Sequence, residues 1–292
     1  MSATPLTDRI VEIRARAPER IARALADRPR GSLPEGDGGL MIIACDHPAR
    51  GALAAGGRAM AMASREEVLS RCVTALGRPG VNGFLGTADM IEDLALLGAL
   101  DGKLVYGSMN RGGLAGAAFE MDDRFTGYDA RGVVESGLDG GKMLLRVNYE
   151  DPRTADTLAA CASAVDDLAE RRVMAMVEPF ISRWSDGRIV NDLSADAVIA
   201  SMAIASGLGR TSAYTWLKLP VVADMERVME ASTLPALILG GAVSEDPEAA
   251  RSSWARALAL PTIRGLVIGR SLLFPPDDDV AGAVDNTVGL LS

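Results

Sequence analysis

The chain holds three lysines, at positions 103, 142 and 218, and every other strongly basic side chain is an arginine. Lys218 lies in the apolar run Tyr214-Thr-Trp-Leu-Lys-Leu-Pro-Val-Val222, which predicts a buried strand. An ammonium in such a strand is costly unless it is paired or deprotonated. An amine, unlike a guanidinium, can shed its proton and form a Schiff base with a carbonyl. The plainer alternative is a lysine at a strand end that snorkels to water. Other chemistry-bearing residues close short apolar runs in the same way. Asp46-His47 follows Leu40–Cys45, Arg146 ends a run that also carries Lys142, and Glu178 ends Met174-Ala-Met-Val177. Strand alternation puts Lys218, Trp216 and Tyr214 on one face, and Arg146, Leu144 and Lys142 on another. A second ammonium close to Lys218 would lower its pKa and favour the neutral nucleophile.

Structural roles compete for each of these residues. Glu178-Pro179 can simply end a strand, Asp46 can cap a turn, and His47 before Pro48 can be a solvated loop residue. Arg146 can pair with an acid inside the core. Lys103 opens a strand at the opposite end and is assigned no role. The methionines at 60, 62, 174 and 176 suit core filling better than a cofactor site.

Eight short apolar runs recur along the chain, at 40–45, 81–85, 104–107, 143–147, 173–177, 214–219, 236–239 and 266–268. Charged, Ala/Leu-rich stretches of helical spacing separate most of them: 64–76, 88–97, 154–171, 194–205, 223–230 and 247–258. Ser64, Asp151-Pro152 and Ser244 mark helix starts. Eight strands with intervening helices predict an α/β fold, a (β/α)8 TIM barrel. The alternative is a doubly wound open sheet, but no G-x-G-x-x-G follows the first strand. Residues 1–38 form an expected N-terminal helix (Thr7–Ala26) and linker, and residues 39–292 the barrel. The helix is expected to plug the barrel's N-terminal end or to pack on another subunit. One long segment, Ser108–Ala130, carries Asn110-Arg-Gly-Gly113 and Glu120-Met-Asp-Asp-Arg124, and in a barrel it lies on the catalytic face.

The net charge of −9 argues against nucleic-acid and anionic-membrane partners. No apolar stretch reaches membrane-spanning length, and the N-terminal residues lack the apolar core of a signal peptide. Three cysteines without metal-ligand spacing read as reduced thiols, so a cytoplasmic location is expected. A single histidine rules out multi-histidine metal sites and weakens any Ser-His-Asp arrangement.

Barrel active sites form at the C-terminal strand ends. The last two strands end in Gly240-Gly-Ala-Val-Ser244 and Gly269-Arg270, where backbone amides and a guanidinium can cradle a phosphate. Phosphate at these two positions recurs in this fold.

Several segments resemble the Schiff-base class I aldolases of the tagatose-1,6-bisphosphate aldolase and DhnA/LsrF type. Gly141-Lys-Met-Leu-Leu-Arg146 with Asn148-Tyr-Glu-Asp-Pro152 is similar to that family's fourth strand with its active-site lysine. Met176-Val-Glu-Pro179 is similar to the fifth strand with the acid/base glutamate, and Trp216-Leu-Lys-Leu-Pro220 to the Schiff-base strand. Leu239-Gly-Gly-Ala-Val-Ser244 and Leu266-Val-Ile-Gly-Arg270 are similar to the phosphate-binding ends, and Ala44-Cys-Asp-His47 to the first strand. The match spans roughly residues 40 to 275.

The resemblance implies a metal-independent lyase of carbohydrate metabolism that needs no cofactor. Lys218 would be the Schiff-base nucleophile, Glu178 the acid/base, Lys142 an electrostatic stabiliser and Asp46 a substrate-orienting acid. Gly240, Gly241, Gly269 and Arg270 would hold phosphate, with His47, Arg111 and Arg146 as further substrate contacts. The substrate would be a phosphorylated ketose or keto-sugar acid, yielding dihydroxyacetone phosphate and an aldehyde. Arg111, Arg124 and Arg146 offer cations for a second anionic end, which favours 2-deoxy-5-keto-gluconate 6-phosphate, then fructose or tagatose bisphosphate. Barrels of this family commonly assemble, so a homo-oligomer is expected. A phosphosugar isomerase or epimerase, an LsrF-like acyl transferase and a non-catalytic phosphosugar-binding barrel remain alternatives.

Overall fold

A computed structural model describes residues 5–36, 38–110, 113–241, 243–244 and 246–291. Its strands are β1 (Leu40–Cys45), β2 (Gly83–Gly86), β3 (Leu104–Ser108), β4 (Gly140–Val147), β5 (Met174–Ser185), β6 (Arg188–Asn191), β7 (Thr215–Leu219), β8 (Ala236–Leu239) and β9 (Ile263–Ile268). Eight of them pair in parallel in the order β4-β3-β2-β1-β9-β8-β7-β5, and the β4–β5 pairing closes the ring. The protein is a TIM barrel, not an open sheet. Helices α1 (Leu6–Arg16), α2 (Glu19–Asp27), α3 (Arg65–Leu76), α4 (Ala88–Leu96), α5 (Ala130–Glu135), α6 (Thr154–Glu170), α7 (Ala195–Ser206), α8 (Met225–Glu230), α9 (Pro247–Leu258), α10 (Arg270–Leu273) and α11 (Val280–Val288) complete the chain.

Strand alternation divides the apolar residues between two cores. Leu40, Ile42 and Ala44 fill the barrel lumen with Leu85, Leu104, Tyr106, Met174, Met176, Leu237 and Val267, and Trp216 packs against them. Met41, Ile43 and Cys45 face outward into the larger core shared with the helices. Continuing the inward parity toward the C-terminal ends passes from apolar lumen to Asp46, Lys142, Glu178 and Lys218. The residues that fill the barrel therefore also aim the polar groups above them.

Two elements differ from the sequence expectation. The N-terminal helix breaks at Ala17-Pro18, because proline has no N–H to continue the hydrogen-bond ladder. Neither half plugs the barrel; the pair packs on α3 and α4. Glu66 accepts the N–H groups of Leu6 and Thr7 at 3.0 and 2.9 Å, capping α1. Arg14 and Arg65 share the buried carboxylate of Asp93. The linker then reaches the bottom of the barrel, where Arg28 donates to the carbonyls of Lys103 and Gly137. The second difference is β5, which runs past the barrel and turns at Asp186-Gly187, both in the left-handed region, into antiparallel β6. This hairpin stands over one side of the barrel mouth. No helix among the described residues is long and apolar enough to cross a membrane.

Candidate active site

A cavity of about 700 Å³ opens at the C-terminal end of the barrel. On its floor four charged side chains form one chain of contacts. Lys218 Nζ lies 2.5 Å from Glu178 Oε1, Lys142 Nζ 2.7 Å from Glu178 Oε2, and Lys142 Nζ 3.1 Å from Asp46 Oδ2. All four residues are buried. Two cations and two anions leave the cluster neutral, which makes its burial tolerable. The Ser108 hydroxyl, at the end of β3, lies within donating distance of the same oxygen, Asp46 Oδ2, at 3.3 Å, and of the Asn110 carbonyl at 3.1 Å.

The two lysines are made different by their neighbours. Burial pushes Lys218 below the ordinary lysine range; Glu178 opposes that shift, and Lys142 adds to it. Burial would lower Lys142 as well, but it touches both Asp46 and Glu178, and these raise it above the ordinary range. Lys142 is thus a fixed ammonium, and Lys218 is the amine that gives up its proton more readily. Burial opposes ionisation of Glu178, yet Lys142 and Lys218 hold it down at about 2. Asp46 likewise lies well below the carboxylate range despite burial, chiefly through Lys142.

His47 borders the same cavity. Burial pushes it down to about 3 against the pull of Asp46, with Arg270, Arg50 and Lys218 adding to the drop, so it is neutral at pH 7. Its Nδ1 lies 3.6 Å from Asp46 Oδ1, is buried and has no hydrogen-bond partner among the described residues.

Gly240, Gly241, Gly269 and Arg270 line the wall where β8 and β9 end. The backbone is tight there for a physical reason. A Cβ on Gly269 would collide with the Ala44 carbonyl, and one on Gly240 would come within 2.6 Å of Ile268 Cγ2. Gly241 has φ of +68°, which side-chain-bearing residues rarely adopt. At Gly240 and Gly269 the space a side chain would need is already filled by Ile268 and by the Ala44 carbonyl, so only glycine fits where these strands end.

Arg146 takes the structural alternative that the sequence left open, pairing with an acid in the core. Its guanidinium forks onto Asp123, with Nε to Oδ2 at 3.0 Å and Nη2 to Oδ1 at 2.5 Å, and it also donates to the Glu120 carbonyl. Asp123 is fully buried, and burial raises its pKa despite Arg146. The long segment after β3 therefore brings its acids inward, and Arg146 spends its charge on them while still lining the cavity. Asn110 ties the same segment down: its amide donates to the Asp123 and Leu144 carbonyls and accepts from Leu144 N–H. This locks β4 between Lys142 and Arg146. Arg124 is largely exposed and pairs with Asp122. Arg111 lies outside the described residues.

Two features escaped sequence reasoning. Arg50, four residues after Asp46 in a 3-10 turn that begins at His47, faces the cavity. The β5–β6 hairpin contributes Phe180, Ile189, Val190 and, just beyond it, Leu193, so the cavity wall on that side is largely apolar. The Asp186-Gly187 pair, a strong hairpin signal, was the clue to the second.

The Cgl0159-like family model matches residues 38–288. The crystal structure of Cgl0159 from Corynebacterium glutamicum is 53% identical, with a TM-score of 0.95, over 100% of this chain and 98% of that one. An archaeal fructose 1,6-bisphosphate aldolase is 15% identical, with a TM-score of 0.66, over 93% of this chain and 98% of that one. A second archaeal fructose-1,6-bisphosphate aldolase structure, whose catalytic lysine is covalently bound to the carbinolamine intermediate of the substrate, is 14% identical, with a TM-score of 0.64, over 93% and 99% of the two chains. At such identities the aldolase likenesses speak to the fold alone. No curated protein sequence matches this chain. From the family match across the barrel and the near-complete overlap with its Corynebacterium relative, this chain belongs to the Cgl0159-like family.

Proposed function

We propose that the protein is a class I aldolase that cleaves a phosphorylated ketose or keto-sugar acid through a Schiff base on Lys218. The observation that carries this reading is the asymmetric lysine pair. A buried amine with a lowered pKa sits 2.5 Å from a carboxylate, beside a second lysine held as an ammonium, on the floor of a cavity. A purely structural cluster of ion pairs gains nothing from holding one of its two lysines below the ordinary range while the other is held above it. The aldolases that share the fold, one of them a Schiff-base-forming enzyme, support the reading by analogy.

In this mechanism neutral Lys218 adds to the substrate ketone, and loss of water leaves an iminium. Glu178 takes the proton from the hydroxyl one carbon beyond the scissile bond. The carbon–carbon bond then breaks, its electron pair enters the iminium to give an enamine, and the aldehyde departs. Protonation of the enamine and hydrolysis of the imine release the phosphorylated ketone and restore the amine. Lys142 stabilises oxyanion charge as it develops and keeps Glu178 ionised. Asp46, held by Ser108 and Lys142, orients substrate hydroxyls. The phosphate rests on the glycine wall with Arg270. The product held on Lys218 would be dihydroxyacetone phosphate.

The test is a cleavage assay coupled to reduction of dihydroxyacetone phosphate. Its substrates are 2-deoxy-5-keto-gluconate 6-phosphate, fructose 1,6-bisphosphate and tagatose 1,6-bisphosphate. Turnover of one of them by wild type and its loss in Lys218→Met supports the reading. Turnover that survives Lys218→Met rejects it.

A further inference from the structure

The charges around the cavity balance almost everywhere. Lys142 and Lys218 are matched by Asp46 and Glu178, and Arg146 is matched by Asp123. Arg50 and Arg270 are the exception. They face the same cavity from the ends of β1 and β9, close enough that Arg50 disfavours the charge on Arg270. Among the described residues no carboxylate forms an ion pair with either guanidinium. Arg270 Nη1 donates to the Ala54 carbonyl at 3.3 Å, and its Nε is buried without a hydrogen-bond partner among the described residues. The nearby acid, Asp46, is already held by Lys142 and Ser108. In a chain with a net charge of −9, two cations on one cavity wall that meet no carboxylate among the described residues mark a place where an anion belongs.

We propose that Arg50 and Arg270 form a two-guanidinium clamp for a dianionic phosphate monoester, and that Arg50 makes the site prefer a dianion over a carboxylate. Two planar forks present several N–H donors to three phosphate oxygens, and a double negative charge cancels both cations where a carboxylate cancels one. The local backbone sets Arg50 in place. Pro48 stands at the start of the 3-10 turn, and Gly51 at φ of +77° ends it, so Arg50 is the last residue before the chain turns away. Gly241 on the adjacent wall, with nothing within 4 Å of where a Cβ would stand, leaves room for the anion to approach the backbone. The inference deepens the reading of the cavity as a phosphorylated-substrate site, but it needs no turnover and can be tested apart from Schiff-base chemistry.

The experiment is isothermal titration of the full-length protein with inorganic phosphate, at pH 7.5 and low ionic strength, alone and against acetate. Wild type, Arg50→Gln, Arg50→Lys and Arg270→Gln are compared, with thermal melting as the check on folding. Wild type is expected to bind phosphate and acetate not to displace it. Arg50→Gln and Arg270→Gln should each lose about tenfold or more in affinity, the scale of one charge-assisted pair. Arg50→Lys should keep part of the binding, which separates lost charge from a damaged fold. Phosphate affinity unchanged in Arg50→Gln, effective competition by acetate, or no phosphate binding by wild type overturns the clamp. Failure of the aldolase reading would appear separately, as an absence of covalent trapping on Lys218 with phosphate binding intact.

Discussion

Replacing Glu178 by glutamine keeps the side chain's size and removes its charge, turning the neutral four-residue cluster into one of net charge +1. Glu178 touches Lys218 at 2.5 Å and Lys142 at 2.7 Å, so both ammonium groups lose their nearest anion. At an effective dielectric of ~20, a unit charge at that separation is worth about 7 kcal/mol, and relaxation and water entry cut this severely. Contact partners shift a pKa by about 1–3 units in practice. Lys218 already lies below its ordinary range through burial, with Lys142 adding to the drop, and Glu178 is the largest influence holding it up. Glu178→Gln should therefore move the pH midpoint of imine formation down by about 1–3 units. Carbon–carbon cleavage, which needs the base, should fall by about 10²–10⁴. The assay is brief cyanoborohydride trapping with dihydroxyacetone phosphate from pH 5 to 9, read by intact mass, beside the cleavage rate. A midpoint that stays in place or rises would refute the electrostatic reasoning, because it would mean that Glu178 does not stabilise the Lys218 ammonium.

Lys142→Met leaves Asp46 and Glu178 facing each other without their shared cation, and should destabilise the fold by about 3–5 kcal/mol in urea unfolding; a change below about 1 kcal/mol would show that the cluster does not depend on it. Asn110→Ala removes three buried hydrogen bonds, two that tie the long segment to β4 and one that holds the segment to itself at Asp123, at a cost of about 1–3 kcal/mol, and should raise the substrate KM more than it lowers kcat; an unchanged unfolding midpoint would contradict this. His47, at about 3 in the folded protein, binds its proton more readily once unfolded, so stability falls as pH drops below about 6.5. Between pH 7 and 5 this loss should be about 2 kcal/mol and should vanish in His47→Gln, while Glu178 adds its own loss only below about pH 4.5. A slope of the same size in His47→Gln would contradict the assignment.

The barrel was legible because strand alternation and the buried runs repeat eight times, and the same parity that fills the lumen aims Asp46, Lys142, Glu178 and Lys218 upward. Leu40–Cys45 and Ala236–Leu239 match the expected runs in full. The departures have local physical causes. Pro18 splits a helix whose apolar spacing continues through it. The helix expected to start at Ser244 is capped by Asp246, whose carboxylate accepts from Ala249 N–H, while Ser244 exchanges hydrogen bonds with the Asp246 backbone. The β5–β6 hairpin lies outside the barrel repeat, and its half-exposed face lacks the apolar density that marks the other strands. Arg146 and Arg50 show the limit for the site itself. Sequence places a guanidinium at a strand end but says nothing about which carboxylates a folded loop will bring to it. Arg146 meets Asp123 and Glu120, whereas Arg50 meets no carboxylate among the described residues and lines one cavity with Arg270. Pairing across the long segment after β3 is tertiary information.

The central claim is that Lys218 forms a Schiff base, and intact-mass measurement after borohydride reduction with dihydroxyacetone phosphate tests it most directly. The account predicts a ligand-sized adduct on wild type that maps to Lys218 and is missing from Lys218→Met. No adduct on wild type under conditions where the ligand is bound, or an adduct that persists in Lys218→Met, would contradict it.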